Sequence, residues 1–192
     1  MENNSEREQL IDEIARHYKK ILELIGEDVN REGLVKTPRR AAKALVDITR
    51  GYKQRPDEIV KSALFEYAGS KIVVVKDIEF YSLCEHHILP FFGTVSIGYI
   101  PDGTMVGLSK LARVVDAFAH RLQVQERFTA EICDSLYENL SSKGVIVAVS
   151  AGHLCMKMRG VEKQGANTFT LEYRGDFENP QLREEFFRMI KQ

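Results

Sequence analysis

Residues 82–90 read SLCEHHILP and place a thiol, a carboxylate and two imidazoles in four consecutive positions of an otherwise apolar stretch. The chain has the character of a β-strand on both sides of this cluster. Ile72 to Val75 form an apolar β-branched run before it, and residues 94–100 alternate polar with apolar side chains after it. The pattern predicts two strands with the Cys-Glu-His-His cluster between them.

Helical and extended patterns alternate in blocks along the rest of the chain. Apolar residues recur at three- and four-residue steps from Leu10 to Ile25 and again after Thr37-Pro38. The same steps follow Ser109 and recur in a further stretch up to Gly144, and each of these segments is predicted to be helical. A short helix is predicted after Pro56 that reaches Leu64. Strand composition returns at residues 144–155 and 168–173, and Asn179-Pro180 opens a last helix.

This order predicts an α+β fold with an antiparallel four-stranded sheet, helices on one face and an N-terminal helical extension. We expect an N-terminal helical region over residues 1–66 and a domain that carries the sheet over residues 67–192. The open edges of such a sheet are commonly closed by other copies, so we also expect an oligomer.

Composition narrows the class of protein. The 192 residues are 44% hydrophobic and carry a net charge of -1, which does not favour nucleic acid or an anionic membrane as a partner. The first residues lack the pattern of a targeting signal, and no apolar run reaches the length of a membrane span. We therefore expect a cytoplasmic protein. Its three cysteines do not have the spacing of a disulfide framework.

Three residues of the two chemical segments suit a zinc ion. Cys84 and His87 form a Cys-x-x-His pair, and Cys155 follows in His153-Leu154-Cys155. If the strand predicted at residues 144–155 continues past residue 155, one of its faces ends in His153, Cys155, Lys157 and Arg159. Three protein ligands leave a fourth position open, as catalytic zinc sites do, and His86 and His153 would then be free for proton transfer.

Spacing alone leaves an alternative open, a closed structural site that uses Cys84, His87, His153 and Cys155. The remaining cysteine, Cys133, lies in a predicted amphipathic helix, where we expect it to be buried and inert. The two methionines that alternate with the chemical face, Met156 and Met158, are expected in the core.

Two further segments are candidates for binding a substrate. Lys110 and Arg113 lie one turn apart at the start of a predicted helix, where a phosphate could bind, although solvated surface charges are the simpler interpretation. Gln125 and Glu126 lie between two predicted helices. They could bind the polar edge of a base or form a solvated junction.

Taken together, these segments resemble the GTP cyclohydrolase I family. The resemblance rests on four ordered motifs, supported by TPRRAAK at residues 37–43, and it runs from about Gly33 to the C-terminus. The motifs are SLCEHH (82–87), GLSKLARVVD (107–116), RLQVQER (121–127) and HLCMKMRGV (153–161).

The resemblance implies a tunnelling fold assembled as a toroidal homodecamer, with active sites between subunits. It implies conversion of GTP to 7,8-dihydroneopterin triphosphate with release of formate, the first step of pterin and folate synthesis. Zinc would be held by Cys84, His87 and Cys155 and would activate the water that attacks C8, while His86 and His153 transfer protons. The implied substrate-binding residues are Glu126 and Gln125 for guanine, and Ser109, Lys110, Arg113, Lys157, Arg159 and, from a neighbouring chain, Arg40 for the triphosphate.

Two alternatives remain, one within the same architecture and one from a different functional class. A related tunnelling-fold enzyme, such as a nitrile reductase, would use a cysteine nucleophile and a nicotinamide, and zinc bound through Cys84 and Cys155 would argue against it. A non-catalytic zinc-stabilised oligomer that senses nucleotides would unfold when Cys155 is replaced by serine, whereas a catalytic site would lose turnover and keep its fold.

Overall fold

A computed structural model describes residues 4–191. The chain separates into two compact units, Met1–Arg50 and Gly51–Gln192. The functional boundary expected at residue 66 stays a prediction. None of the helices within residues 4–191 combines the length and the apolar character that a membrane span requires.

The first unit consists of two helices, α1 (Asn4–Leu24) and α2 (Thr37–Ile48). Pro38 stands in the first turn of α2, where its missing N–H costs no hydrogen bond. Ion pairs join the two helices: Arg7 contacts Asp47 at 2.5 Å, and Arg39 contacts Asp12 at 2.8 Å. The unit is the N-terminal helical extension that the sequence predicts.

The second unit contains α3 (Pro56–Lys61) near its start and carries the seven strands found within residues 4–191. The strands are β1 (Leu64–Glu66), β2 (Val73–Cys84), β3 (Leu89–Pro101), β4 (Thr104–Val106), β5 (Leu122–Gln123), β6 (Ser142–His153) and β7 (Thr168–Gly175). The other helices are α4 (Leu108–Ala119), α5 (Gln125–Asn139), the single turn α6 (Leu154–Lys157) and α7 (Pro180–Ile190).

Four long antiparallel strands form the main sheet, in the order β2-β3-β6-β7, and the short β5 adds a parallel pair beside β2. The predicted α+β class is therefore confirmed, with one short parallel strand that the sequence did not predict. Strands β1 and β4 form a separate two-stranded sheet.

The main sheet buries both faces at its centre. Alternate residues of β6, such as Val145 and Val147, pack in the larger core with α4 and α5. The residues between them, such as Ile146, pack on the other face with Phe177 and with Phe186 of α7. The helices expected on one face of the sheet are therefore α4 and α5. Helix α7 covers part of the opposite face.

Strand β6 ends at His153, so the expectation that it continues through Cys155 to Arg159 is wrong. Its pairing with β7 stops at Ala151, and its pairing with β3 stops where Phe91 faces His153. The next residue of β3 is Pro90, which has no N–H to donate. The backbone instead closes a helical turn, in which the Met158 N–H donates to the Leu154 carbonyl at 2.9 Å.

This change of direction also overturns the expected burial of two methionines. Met156 and Met158 follow the end of the strand and are exposed, at 37% and 60% of their surface.

The short helix after Pro56 ends at Lys61, before the predicted Leu64, because Leu64 starts the small sheet by pairing with Val106.

Candidate metal centre and active site

The first two metal-ligand candidates lie at one end of the β2–β3 hairpin. Cys84 is the last residue of β2, and His87 lies in the four-residue turn that precedes β3. The carbonyl of Cys84 accepts hydrogen bonds from the N–H groups of His87, at 3.3 Å, and Ile88, at 2.8 Å. Ile88 has a positive φ of 54°, which reverses the chain at once into β3. The tight turn brings the imidazole of His87 back over the thiol of Cys84.

The third ligand candidate, Cys155, lies just after the end of β6. Because β6 pairs with β3 and ends beside the hairpin, the single turn of α6 places Cys155 next to Cys84 and His87. One ligand atom from each of these three residues lies within 4.8 Å of the others. Residues far apart in sequence thus converge on one point through the β3–β6 register.

The spacing fits a tetrahedral zinc ion. Zinc–sulfur and zinc–nitrogen bonds of ordinary length at tetrahedral angles put a thiolate and an imidazole nitrogen about 3.6 Å apart. The Cys84 Sγ and the His87 Nδ1 are 3.7 Å apart. Burial raises the pKa of the Cys155 thiol, and the adjacent Cys84 thiol raises it further, so a divalent cation is what would favour both thiolates here. The donor set therefore suits zinc.

The predicted proton-transfer residues lie beside this group but differ in environment. The His86 side chain is 63% exposed, and its Nδ1 is 3.9 Å from the Cys84 Sγ. His153 is half-buried and its ring stacks on Phe91, with centroids 4.6 Å apart and ring planes within 3° of parallel. The His153 Nε2 is 2.8 Å from the Oε1 of Gln125. His153 is not among the three residues whose ligand atoms lie within 4.8 Å of one another, which argues against the closed four-ligand alternative.

Charged residues around His153 act in opposite directions on its pKa. Burial has the largest effect and lowers the pKa, Glu126 opposes it, and Lys157 adds to the lowering. His153 is thereby favoured as the neutral imidazole, the form that can accept a proton. Arg159 lies close enough to Cys155 to favour its thiolate.

The ligand candidates and both histidines open onto one cleft of about 240 Å³. Its lining includes the three ligand candidates, both histidines, Gln125, Glu126 and Thr168. Glu126 is exposed in the first turn of α5, where the helix dipole favours a carboxylate. The Gln125 amide, in contrast, bonds within the chain through both of its polar atoms. That Gln125 helps to bind guanine stays a prediction.

Glu85, for which the sequence suggested no role, forms an ion pair with Arg127 at the start of α5. The same guanidinium group donates to the Gln123 side chain at 3.1 Å and to the Leu122 carbonyl at 3.0 Å, and the Glu85 N–H donates to the Gln123 carbonyl. Hydrogen bonding to Arg127 lowers the pKa of Glu85. This network ties the metal-binding turn to β5.

None of the predicted triphosphate residues lines the cleft itself. Lys157 and Arg159 follow the ligand candidate Cys155 and lie near it, whereas Ser109, Lys110 and Arg113 lie in the first half of α4. The side chains of these three α4 residues make no hydrogen bond or ion pair within residues 4–191. Arg40 lies on α2, in the first unit.

Comparison with known proteins places this geometry in a family. The family model described as GTP cyclohydrolase I matches residues 14–191. GTP cyclohydrolase 1 of Bacteroides fragilis is 51% identical over 191 residues, which cover 97% of this chain and 98% of the relative. GTP cyclohydrolase 1 of Campylobacter jejuni is 53% identical over 173 residues, 90% of this chain and 91% of the relative.

Two solved structures are less similar to this chain. The apo form of an archaeosine synthase QueF-like protein aligns with a TM-score of 0.44 and 19% identity, over 54% of this chain and 93% of that one. A dihydroneopterin aldolase from Burkholderia thailendensis bound to guanine aligns with a TM-score of 0.39 and 11% identity, over 57% and 93%. On the family model and the relatives that match nearly its whole length, the chain belongs to the GTP cyclohydrolase I family.

Proposed function

We propose that this protein converts GTP and water to 7,8-dihydroneopterin triphosphate and formate, with zinc held by Cys84, His87 and Cys155. The observation that carries the proposal is the convergence of these three ligand groups with His86, His153 and Glu126 around one cleft, in a chain of this family. Because the product is a pterin precursor, we assign the reaction to the first step of pterin and folate synthesis. We expect it to take place in the cytoplasm.

The chain's own residues divide the work. A zinc ion in the cleft would supply the Lewis acid that makes water nucleophilic near neutral pH. His153, held neutral, is suited to accept a proton during attack on C8 of guanine, and the exposed His86 is suited to exchange protons with the ring nitrogens as the imidazole ring opens. The ring carbon then leaves as formate, and the ribose rearranges before the pterin ring closes.

Glu126 supports the choice of guanine. Its carboxylate can accept hydrogen bonds from the N1–H and the 2-amino group of guanine, whereas adenine has an unprotonated N1 and no 2-amino group. ATP would therefore leave a desolvated carboxylate without donors, which is a large penalty in a site built to hydrogen-bond its substrate. Of the two residues predicted for this task, Glu126 is exposed at the cleft, whereas the Gln125 side chain bonds within the chain, which supports assigning the task to Glu126.

The triphosphate requires several cations, and one chain supplies few of them at the cleft. Lys157 and Arg159 lie near His153 and Cys155. Ser109, Lys110 and Arg113 lie towards the N-terminus of α4, and a helix rises about 1.5 Å per residue, so they are remote from the end of α4 that leads into β5. We infer that they act on the cleft of a neighbouring chain, as does Arg40.

A homodecamer would bring such chains together. Two features of this chain support an oligomer. Strand β7 forms an edge of the main sheet, and the stacked rings of Tyr81 and Phe92 remain exposed at 65% and 40%. Light scattering after size-exclusion chromatography measures the number of chains, and a monomer with full activity would contradict shared sites.

Turnover of the zinc-loaded protein tests the proposal. We expect formate and, after oxidation, a fluorescent pterin from GTP, with no comparable product from ATP. The His153→Ala variant should keep its zinc and lose ring opening, since His153 is not part of the three-ligand group. Loss of zinc in that variant would instead support the four-ligand structural site, and absence of both products from GTP would refute the proposed activity.

A further inference from the structure

Gln125 occupies an unusual position for a polar side chain, because it is 1% exposed in the middle of the site. Its Nε2 lies 3.2 Å from the carbonyl oxygen of Val149, 3.1 Å from that of Thr168 and 3.1 Å from the hydroxyl of Thr170. Its Oε1 lies 2.8 Å from the Nε2 of His153. The amide therefore joins β6, β7 and the start of α5 to the histidine.

The chemistry of these partners determines which way the amide points. Backbone carbonyl oxygens only accept hydrogen bonds, so the atom that faces Val149 and Thr168 must be the nitrogen. A flipped amide would press its oxygen against two carbonyl oxygens and leave its N–H groups facing the histidine. The carbonyl oxygen of Gln125 is thus the atom that faces His153.

Two threonines close the network in a consistent way. The hydroxyl of Thr129 donates to the backbone carbonyl of Gln125 at 2.7 Å. Its only hydrogen is then used, so Thr170, 2.6 Å away, must be the donor to Thr129. The Thr170 oxygen remains free to accept from the Gln125 amide. The two Nε2 hydrogens of Gln125 are shared among three acceptors, and each hydroxyl hydrogen has one partner.

This network fixes the state of His153. The Oε1 of Gln125 can only accept, so the Nε2 of His153 must carry the hydrogen of the bond between them, and Nδ1 of the neutral ring is left as an acceptor. The parallel stack on Phe91 fixes the plane of the ring. A hydrogen bond in the ring plane and a stack across it together leave the imidazole one orientation.

We propose that Gln125 is a positioning residue, which holds His153 as the Nε2–H tautomer with Nδ1 ready to take a proton in the reaction. This inference rests on the proposed function for the use of that proton, but the tautomer itself is a property of the folded chain. It replaces the expectation that the Gln125 side chain binds guanine. Orientation of a general base by a hydrogen bond to its second nitrogen is an established device in catalytic triads.

The test compares two variants that disturb the same network. Gln125→Met keeps the size of the side chain and removes the bond to His153, whereas Thr170→Val removes a partner of Gln125 and leaves that bond in place. We expect Gln125→Met to lower kcat by about ten- to a hundredfold, within the contribution of general acid–base catalysis, with little change in KM for GTP. Thr170→Val should retain kcat to within about threefold, and both variants should retain zinc.

Solid-state 15N NMR of histidine-labelled protein gives a readout that does not depend on turnover. His153, assigned by its absence in His153→Gln, should show a protonated Nε2 and an unprotonated Nδ1 in the wild type, and a mixture of tautomers in Gln125→Met. A wild-type His153 with hydrogen on Nδ1, or a Gln125→Met variant with unchanged kcat, would overturn the proposal. Wild-type protein with the expected tautomer and no GTP turnover would refute the proposed function and leave the positioning intact.

Discussion

The three cysteines should differ sharply in reactivity, because the fold gives them different surroundings. Cys84 and Cys155 belong to the metal group, while Cys133 is fully buried in α5 and its thiol contacts the carbonyl oxygen of Val145 at 3.9 Å. Removing zinc with a chelator, in the presence of a thiol reagent, should therefore expose two thiols and not the third.

The size of the difference follows from the buried thiol. Burial raises the pKa of Cys133 from its usual value of 9.0 to about 12. Since the thiolate is the reactive form, a change of this size lowers the reactive fraction of Cys133 about a thousandfold below that of an ordinary thiol at neutral pH. The absence of exposed surface slows the reagent further, so Cys133 should react only when the protein unfolds.

Counting thiols with a chromogenic disulfide reagent measures this directly. The zinc-loaded protein should show almost no fast-reacting thiol, the chelated protein two per chain, and the denatured protein all three. In the Cys133→Ala control the slow thiol should disappear while the zinc-dependent pair is unchanged. Equal rates for all three thiols in the folded protein, or equal rates for Cys84 and Cys155 with and without zinc, would refute the reasoning.

Three further predictions concern the support of the site. A Cβ on Gly93 would lie 1.9 Å from the carbonyl oxygen of Ser150 on the paired strand, so Gly93→Ala should lower the urea midpoint of unfolding strongly. Gly165 has open space around it, so the control Gly165→Ala should leave that midpoint nearly unchanged. Phe128 is fully buried, and Phe128→Ala should cost about 3–5 kcal/mol of unfolding free energy in urea titrations, with Phe128→Leu costing clearly less. Because folding lowers the pKa of His153, the unfolded chain binds the proton more readily, and the stability of the zinc-free protein should fall as the pH drops below 6.5. His153→Gln should reduce that slope by at most about 1.4 kcal/mol per pH unit, and an unchanged slope in urea titrations across this range would contradict the assignment.

Local spacing was sufficient to predict the parts of the site that lie within one segment. Cys84 and His87 are three residues apart, and a single turn of backbone brings them together. Cys155 was predicted from its residue type and its neighbour His153, although the expected strand geometry was wrong. The helical turn after His153 depends on where β3 and β7 stop, which is a property of pairing and not of the local sequence.

The residues that position the site had no signal of this kind. Phe91 stacks on His153 because strand register pairs them, and nothing in the spacing of the two residues indicates it. The sequence placed Gln125 at the site but gave no sign of the positioning role proposed above, since its burial and its partners on β6 and β7 appear only in three dimensions. Glu85 gained a partner in Arg127 for the same reason.

Zinc content and GTP turnover measured on the same sample test whether the Cys84, His87 and Cys155 group is a catalytic zinc centre. We expect about one zinc per chain, formate and pterin formed together from GTP, and loss of both zinc and turnover in a folded Cys155→Ser variant. Undiminished turnover by protein stripped of zinc, or a fully zinc-loaded oligomer that releases no formate from GTP, would contradict it.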